Sequence, residues 1–299
     1  MTRLRCATAA ELAGEPLAAT APPADRWLLV EHAGPWGRKA ITESRLEPAT
    51  AAALSRWAGA NRARVVLIRR PRAAHRSSPA GRWYRVDARP GRERIRCGTY
   101  AGEGELVELL SDPAAGAPST DPIYLVCTHG RHDPCCALRG RPVADALSTA
   151  FPERTWECTH VGGDRYAANV VMLPHGVYYG GVTPRDAVGL AKLHEEGTLD
   201  LERLRGRSSL AAPVQAAQHH ARLAAEAGAG AAIDAFHPLS CTPSGEDRWT
   251  VRLAGPGGAP VTVTVRATLR DAGRPLSCGA TGPGRLRVFE CATADPHRR

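Results

Sequence analysis

A short apolar run, IYLVC at 123–127, and a second strand-like segment, RTWEC at 154–158, each stop at a cysteine, and between them RPVADALSTAF (141–151) carries apolar residues at helical spacing. Runs of this length read as buried strands, and in an open α/β sheet the loops after such strands are where a ligand is met. Two more apolar runs, VVML (170–173) and VYYGGV (177–182), flank Pro174-His175-Gly176 as a hairpin would. Thr183-Pro184-Arg185-Asp186 then supplies an N-cap hydroxyl, a proline at the first helical position and a first-turn carboxylate, which predicts a helix to about Glu196. The order β-α-β-β-β-α over this stretch points to an α/β fold.

The first hundred residues repeat part of that pattern. WLLV (27–30), a helical stretch from Glu47, VVLI (65–68) and Trp83 to Val86 predict a β-α-β unit with one further strand. SDPAAGAPSTDP (111–122) lacks an apolar period and reads as a linker. After an Ala-rich helix expected over Ala211 to Ala227, WTVRL (249–253) and VTVTVRATL (261–269) surround a glycine-rich turn. The expected division is therefore an N-terminal α/β domain over 1–115, a second α/β domain over 123–228 and a small β-rich C-terminal region over 234–291.

Composition narrows the classes. With 299 residues, 43% of them apolar, the chain can bury a substantial core, yet it has no apolar run near the roughly 20 residues of a membrane helix. The opening MTRLRCATAAELAGEP lacks a secretory h-region, so the expected compartment is the cytoplasm. Nine cysteines, an odd number in so large a chain, are expected as reduced thiols or metal ligands. The net charge of +9 is carried almost wholly by arginine. That bias, with abundant Ala, Gly and Pro, is what a GC-rich genome produces; the densest run, NRARVVLIRRPRAAHR (61–76), lacks interleaved stacking aromatics, which argues against a nucleic-acid partner, and steering of an acidic redox partner is the alternative use of the charge.

The chemistry concentrates in CTHGRHDPCCALRG (127–140) and CTHVGGDRYAAN (158–169). Together they hold Cys127, Cys135, Cys136, Cys158, His129, His132, His160 and Asp164, a density of soft and borderline ligands found nowhere else in the chain. Cys135, next to Cys136, reads as a spare buried thiol, and His129 and His132 as loop formers or donors behind the ligands. Cys6, Cys97, Cys241, Cys278 and Cys291 lack close partners in sequence and read as ordinary residues. His219-His220 is expected to be solvent-exposed.

With CTHGxxDxxC at 127–136, HVGGxRYAxN at 160–169 and LPxGxYYG at 173–180, the sequence resembles the sucrase/ferredoxin-like family, related to thioredoxin-like [2Fe–2S] ferredoxins. The resemblance implies a thioredoxin-like fold holding a [2Fe–2S] cluster through Cys127 and Cys136 from the first loop and two ligands four residues apart in the second. Those positions are His160 and Asp164, where some relatives have a second histidine. A carboxylate is a hard donor for such a cluster, so Cys158 stands as the alternative fourth ligand. Gly162 and Gly163 suit a tightly folded ligand loop, and Arg165 would balance the cluster's charge. The N-terminal domain could be a second thioredoxin-like half without ligands.

The resemblance implies electron transfer or redox sensing. Structural zinc on the same four residues, or a member of the family without cofactor, are the alternatives. Sucrose hydrolysis needs two carboxylates in a sugar cleft, and only Asp133 and Asp164 lie in the motifs. Thiol–disulfide chemistry ordinarily uses Cys-x-x-Cys, which is absent.

Overall fold

The computed structural model describes residues 4–71, 80–225 and 231–293. After a short helix α1 (Cys6–Leu12), the first half runs β1 (Arg26–Glu31), α2 (Ala40–Glu43), α3 (Pro48–Ala60), β2 (Ala63–Arg69), β3 (Gly81–Asp87), β4 (Arg94–Tyr100) and α4 (Glu103–Ser111). Within the expected linker, β5 (Ala117–Ser119) pairs with β4 as an edge strand. The second half follows as β6 (Ile123–Cys127), α5 (Pro134–Ala150), β7 (Thr155–Cys158), β8 (Val170–Leu173), β9 (Val177–Tyr179), α6 (Pro184–Glu195) and β10 (Leu204–Arg207).

All ten strands form one sheet in the order β10-β9-β8-β6-β7-β2-β1-β3-β4-β5. Each half uses the same arrangement. β1 is parallel to β2 and antiparallel to β3, just as β6 is parallel to β7 and antiparallel to β8. The halves join antiparallel through β2 and β7, by the pairs Ile68 with Cys158 and Arg69 with Glu157. Equivalent backbone bonds flank the seam: the His32 amide donates to Ile68 and the Thr128 amide to Cys158. Since only the C-terminal ends of β2 and β7 overlap, the loops after β1 and β6 meet at the middle of the sheet. One buried cluster, including Trp27, Val66, Ile68, Leu125, Trp156 and Tyr178, draws on both halves.

The α/β class and the β-α-β-β-β-α order over 123–196 are what the chain adopts, and α6 opens with the expected capping box of Thr183 and Asp186. Helix α5 departs from expectation by starting at Pro134 rather than near 141. Asp133 caps it, accepting from the Cys135 amide at 2.8 Å, with Pro134 at the first position, while Pro142 lies inside the helix. Cys135 and Cys136 therefore sit in a first helical turn and not in a loop.

Helix α7 (Ala212–Ala224) falls inside the expected Ala211–Ala227, of which 226 and 227 lie outside the described residues. It packs against β10 on one side and, on the other, against a four-stranded antiparallel sheet of β11 (His237–Gly245), β12 (Arg248–Ala254), β13 (Pro260–Asp271) and β14 (Arg285–Thr293). This second sheet covers the face expected to meet solvent, so His219 and His220 are partly buried, and burial lowers both their pKa values. No described helix is long and apolar enough to cross a membrane. Of the basic run, Arg64, Arg69 and Arg70 turn inward: Arg64 donates to the Val161 carbonyl, Arg69 pairs with Glu157 and lies over Trp36, and Arg70 lies over Trp156. Residues 72–76 of that run lie outside the described residues.

Candidate metal centre

Cys127 ends β6 and Cys136 stands in the first turn of α5, which approaches β6 closely because Gly140 has no side chain. A Cβ there would lie 2.1 Å from the Cys127 carbonyl oxygen. The two thiols are buried and hydrogen-bonded to one another. That bond, in which Cys136 donates, holds the Cys127 thiol well below its ordinary range despite burial, with His160 adding to the effect; the same contact and burial push Cys136 up.

The second loop brings an imidazole and a carboxylate to the same point. His160 Nδ1 lies 3.0 Å from Asp164 Oδ1, and Cys136 Sγ lies 3.4 Å from that oxygen and 3.9 Å from the nitrogen. Burial opposes charge on both groups. Even so, the Asp164 hydrogen bond and the Cys127 sulfur raise His160 to about 9, and the bond from His160 keeps the Asp164 carboxyl below its usual range. Donor atoms of Cys127, Cys136 and His160 converge as one group, and those of His132, His160 and Asp164 as another. Cys158, paired with Cys127 across β6 and β7, is fully buried, is raised by that burial and joins neither group.

The loop is held by partners from far along the chain. Gly162 and Gly163 adopt φ of +99° and +84°, the left-handed region that side chains avoid. Against them lies Arg205, a wholly buried guanidinium. It donates to the Gly162 carbonyl (2.9 Å), Asn169 Oδ1 (2.7 Å), Thr20 Oγ1 (2.9 Å) and the Thr20 carbonyl (2.6 Å). Asn169 returns a bond to the Gly163 carbonyl at 2.8 Å, and Tyr178 donates to the Val161 carbonyl at 3.1 Å. Arg205 went unnoticed in the sequence because it lies outside the motifs. Arg165, expected to balance the site, is instead turned to Glu15 at 2.8 Å.

His129 joins the two halves of the molecule. Its Nε2 contacts the Gly37 carbonyl at 2.6 Å and its Nδ1 accepts from the His160 amide at 3.1 Å, which fixes the tautomer as Nε2–H and orients the His160 backbone. His132 stacks on His160 with centroids 3.8 Å apart and lies at the outer rim.

A second group of donors contains residues expected to be ordinary or spare. Cys6 of α1, Cys135 of α5 and Cys278 from the loop between β13 and β14 converge with Asp133. Adjacent residues on α5, Cys135 and Cys136, thus serve different clusters. Hydrogen bonding from Cys6 lowers the Cys135 thiol to about 6 against its burial, while Cys6 itself is pushed up by that contact and by burial. The sequence held no sign of this group beyond the cysteines themselves, since its three cysteines lie more than a hundred residues from one another.

This architecture defines an α/β protein in which sulfur, imidazole and carboxylate donors are grouped closely enough to hold a metal ion. A sequence model of the sucrase/ferredoxin-like family matches residues 17–206, and the chain belongs to that family. It is also similar to the altered inheritance of mitochondria protein 32 of Meyerozyma guilliermondii, with 32% identity over 98 residues. That alignment spans 29% of this chain and 35% of the relative. Among solved structures, a cysteine-to-serine variant of the thioredoxin-like [2Fe–2S] ferredoxin from Aquifex aeolicus matches at 27% identity over 28% of this chain and 96% of that one, with a TM-score of 0.24. Another structure of a thioredoxin-like [2Fe–2S] ferredoxin from Aquifex aeolicus matches at 24% identity over 29% and 90%, with a TM-score of 0.25.

Proposed function

We propose that the chain is an iron–sulfur protein that transfers electrons or senses redox state, with a [2Fe–2S] cluster held by Cys127 and Cys136 on one iron and by His160 and Asp164 on the other. The supporting observation is the meeting of two buried thiols with an imidazole–carboxylate pair at the seam between the halves. The donor chemistry fits: the thiol pair suits one ferric ion, and the 3.0 Å approach of His160 to Asp164 suits two donors on the other. Bound there, the cluster would supply a one-electron couple.

The remaining residues give that couple a direction and a setting. The sulfurs are sealed inside, whereas the side chains of His132, His160 and Asp164 are 34%, 20% and 11% exposed, so the imidazole side is the edge at which a partner protein exchanges electrons. His129 orients the His160 backbone, and Arg205 with Asn169 holds the loop. An imidazole and a carboxylate donate less electron density than two thiolates, which raises the potential relative to an all-cysteine cluster. The nine free cysteines accord with a reducing compartment such as the cytoplasm.

One observation favours a second reading, a single zinc ion. The distances from Cys136 Sγ to Asp164 Oδ1 and to His160 Nδ1, 3.4 and 3.9 Å, resemble the edges of one tetrahedron. Sucrose hydrolysis lacks support because Asp133 is buried and both its oxygens accept backbone amides, from Cys135 and Cys278.

Anaerobic isolation with iron, sulfide and visible-absorption measurements tests the proposal, together with Asp164→Ala and Cys158→Ala made separately. A coloured protein with two irons and two sulfides is expected, losing colour with Asp164→Ala and keeping it with Cys158→Ala. A colourless isolate with zinc at this centre would overturn it in favour of the second reading.

A further inference from the structure

The sulfurs of Cys6, Cys135 and Cys278 form a nearly equilateral triangle, with separations of 3.6 Å (Cys6 to Cys135), 3.5 Å (Cys135 to Cys278) and 3.6 Å (Cys278 to Cys6). Both carboxylate oxygens of Asp133 lie 3.7 Å from the Cys6 sulfur. We propose that these four residues are a structural zinc site, Cys6, Asp133, Cys135 and Cys278, separate from the centre at Cys127.

The spacing is that of donors to one ion. Zinc–sulfur bonds of about 2.3 Å in tetrahedral geometry set neighbouring sulfurs roughly 3.7–3.8 Å apart, and a zinc at that bond length would stand about 1 Å out of this sulfur plane. Thiolates on different irons of a cluster are pushed farther apart by the metal–metal separation, so three sulfurs in mutual contact belong to a single metal. Soft thiolates select zinc over magnesium or calcium, and four protein donors without an open position make a structural site.

The surroundings need a cation. Asp133 is 1% exposed and forms no ion pair among the described residues; its oxygens instead accept the Cys135 amide at 2.8 Å and the Cys278 amide at 2.6 Å. A buried carboxylate beside three thiols with no positive partner is costly, and a divalent ion supplies the missing charge. The Cys6 amide, 3.5 Å from the Cys278 sulfur, and the N-terminus of α5 stabilise the thiolates.

The ligands also come from three remote parts of the chain. Zinc there would fasten α1 and the loop between β13 and β14 onto the first turn of α5, the turn that carries Cys136. The site would thereby secure one wall of the neighbouring centre without taking part in its chemistry.

The test uses the full chain, produced with both iron and zinc supplied and isolated anaerobically, with metals counted by mass spectrometry and zinc ligands counted by X-ray absorption. The expected result is one zinc per chain at this site, with three sulfur donors and one oxygen. Cys278→Ser should lower that zinc by about tenfold or more while iron content and visible spectrum persist. Cys278→His, which replaces one zinc donor with another, should retain the zinc and so separates ligand loss from misfolding. Were the Cys127 centre to hold zinc as well, the wild type would carry two ions and Cys278→Ser one, which also supports the site. The proposal is overturned by a wild type whose zinc is unaffected by Cys278→Ser, by the absence of zinc, by a disulfide among the three cysteines in the isolated protein, or by iron and zinc lost together without recovery in Cys278→His.

Discussion

Gly140 of α5 lies against the carbonyl of Cys127 so closely that an added methyl group would stand 2.1 Å from that oxygen. Because the oxygen belongs to the strand backbone, only movement of the helix can relieve the clash. Gly140→Ala should therefore destabilise the fold by about 1–3 kcal/mol and draw Cys136 away from Cys127. Urea unfolding and the iron content of the isolated protein check this; unchanged values for both would show that α5 does not position the centre.

Arg205 makes four hydrogen bonds from a fully buried position, three of them to atoms of Thr20 and Gly162, and the fourth to Asn169. Arg205→Met would fill much of the space while leaving those acceptors unpaired. A loss of roughly 3–5 kcal/mol is expected, with weakened retention of metal by the His160 loop. Thermal unfolding and metal analysis provide the readouts, and a metal content equal to wild type would remove Arg205 from the support of that loop.

His194 of α6 is held at about 3 by burial, with His175 and the Arg207 charge adding to the effect. Its folded pKa lies below the unfolded value near 6.5, so the unfolded chain takes up a proton first as the pH falls. Stability attributable to this residue is thus present above about pH 6.5 and declines toward pH 3, by an amount on the order of a few kcal/mol. Urea midpoints measured between about pH 4 and 7 should fall on acidification, and His194→Gln should flatten the curve. An identical slope in the variant would assign the acid sensitivity elsewhere.

Local pattern disclosed the strands that matter most to the first centre. IYLVC is a short apolar run and RTWEC alternates polar with apolar residues, and they form β6 and β7. The start of α5 was concealed by Pro142, which resembles a first-turn proline, although Asp133-Pro134 offered an equally good start, its proline eight residues earlier. Strand β11 contains two prolines and an exposed face, so only pairing with β12 reveals it.

The side-chain placement was less accessible. His160 and Asp164 are four residues apart and could be paired by eye, whereas Arg205 reaches its loop only because β10 adds to the edge of the sheet beside β9. The second thiol group depends on a loop between β13 and β14 folding back to α1, a separation of 272 residues for Cys6 and Cys278. Neither periodicity nor local spacing encodes such a contact.

The short β2–β7 junction has a self-complementary form, with Ile68 and Cys158 as counterparts and their flanking amides bonded alike. It has the form of an isologous contact, in which each half presents the same edge to the other. Because both halves lie in one chain they need not be identical: the second carries the sulfur donors, while the first supplies the Gly37 carbonyl that steadies His129. The seam thus brings a donor-bearing loop and a supporting loop together in a single asymmetric centre.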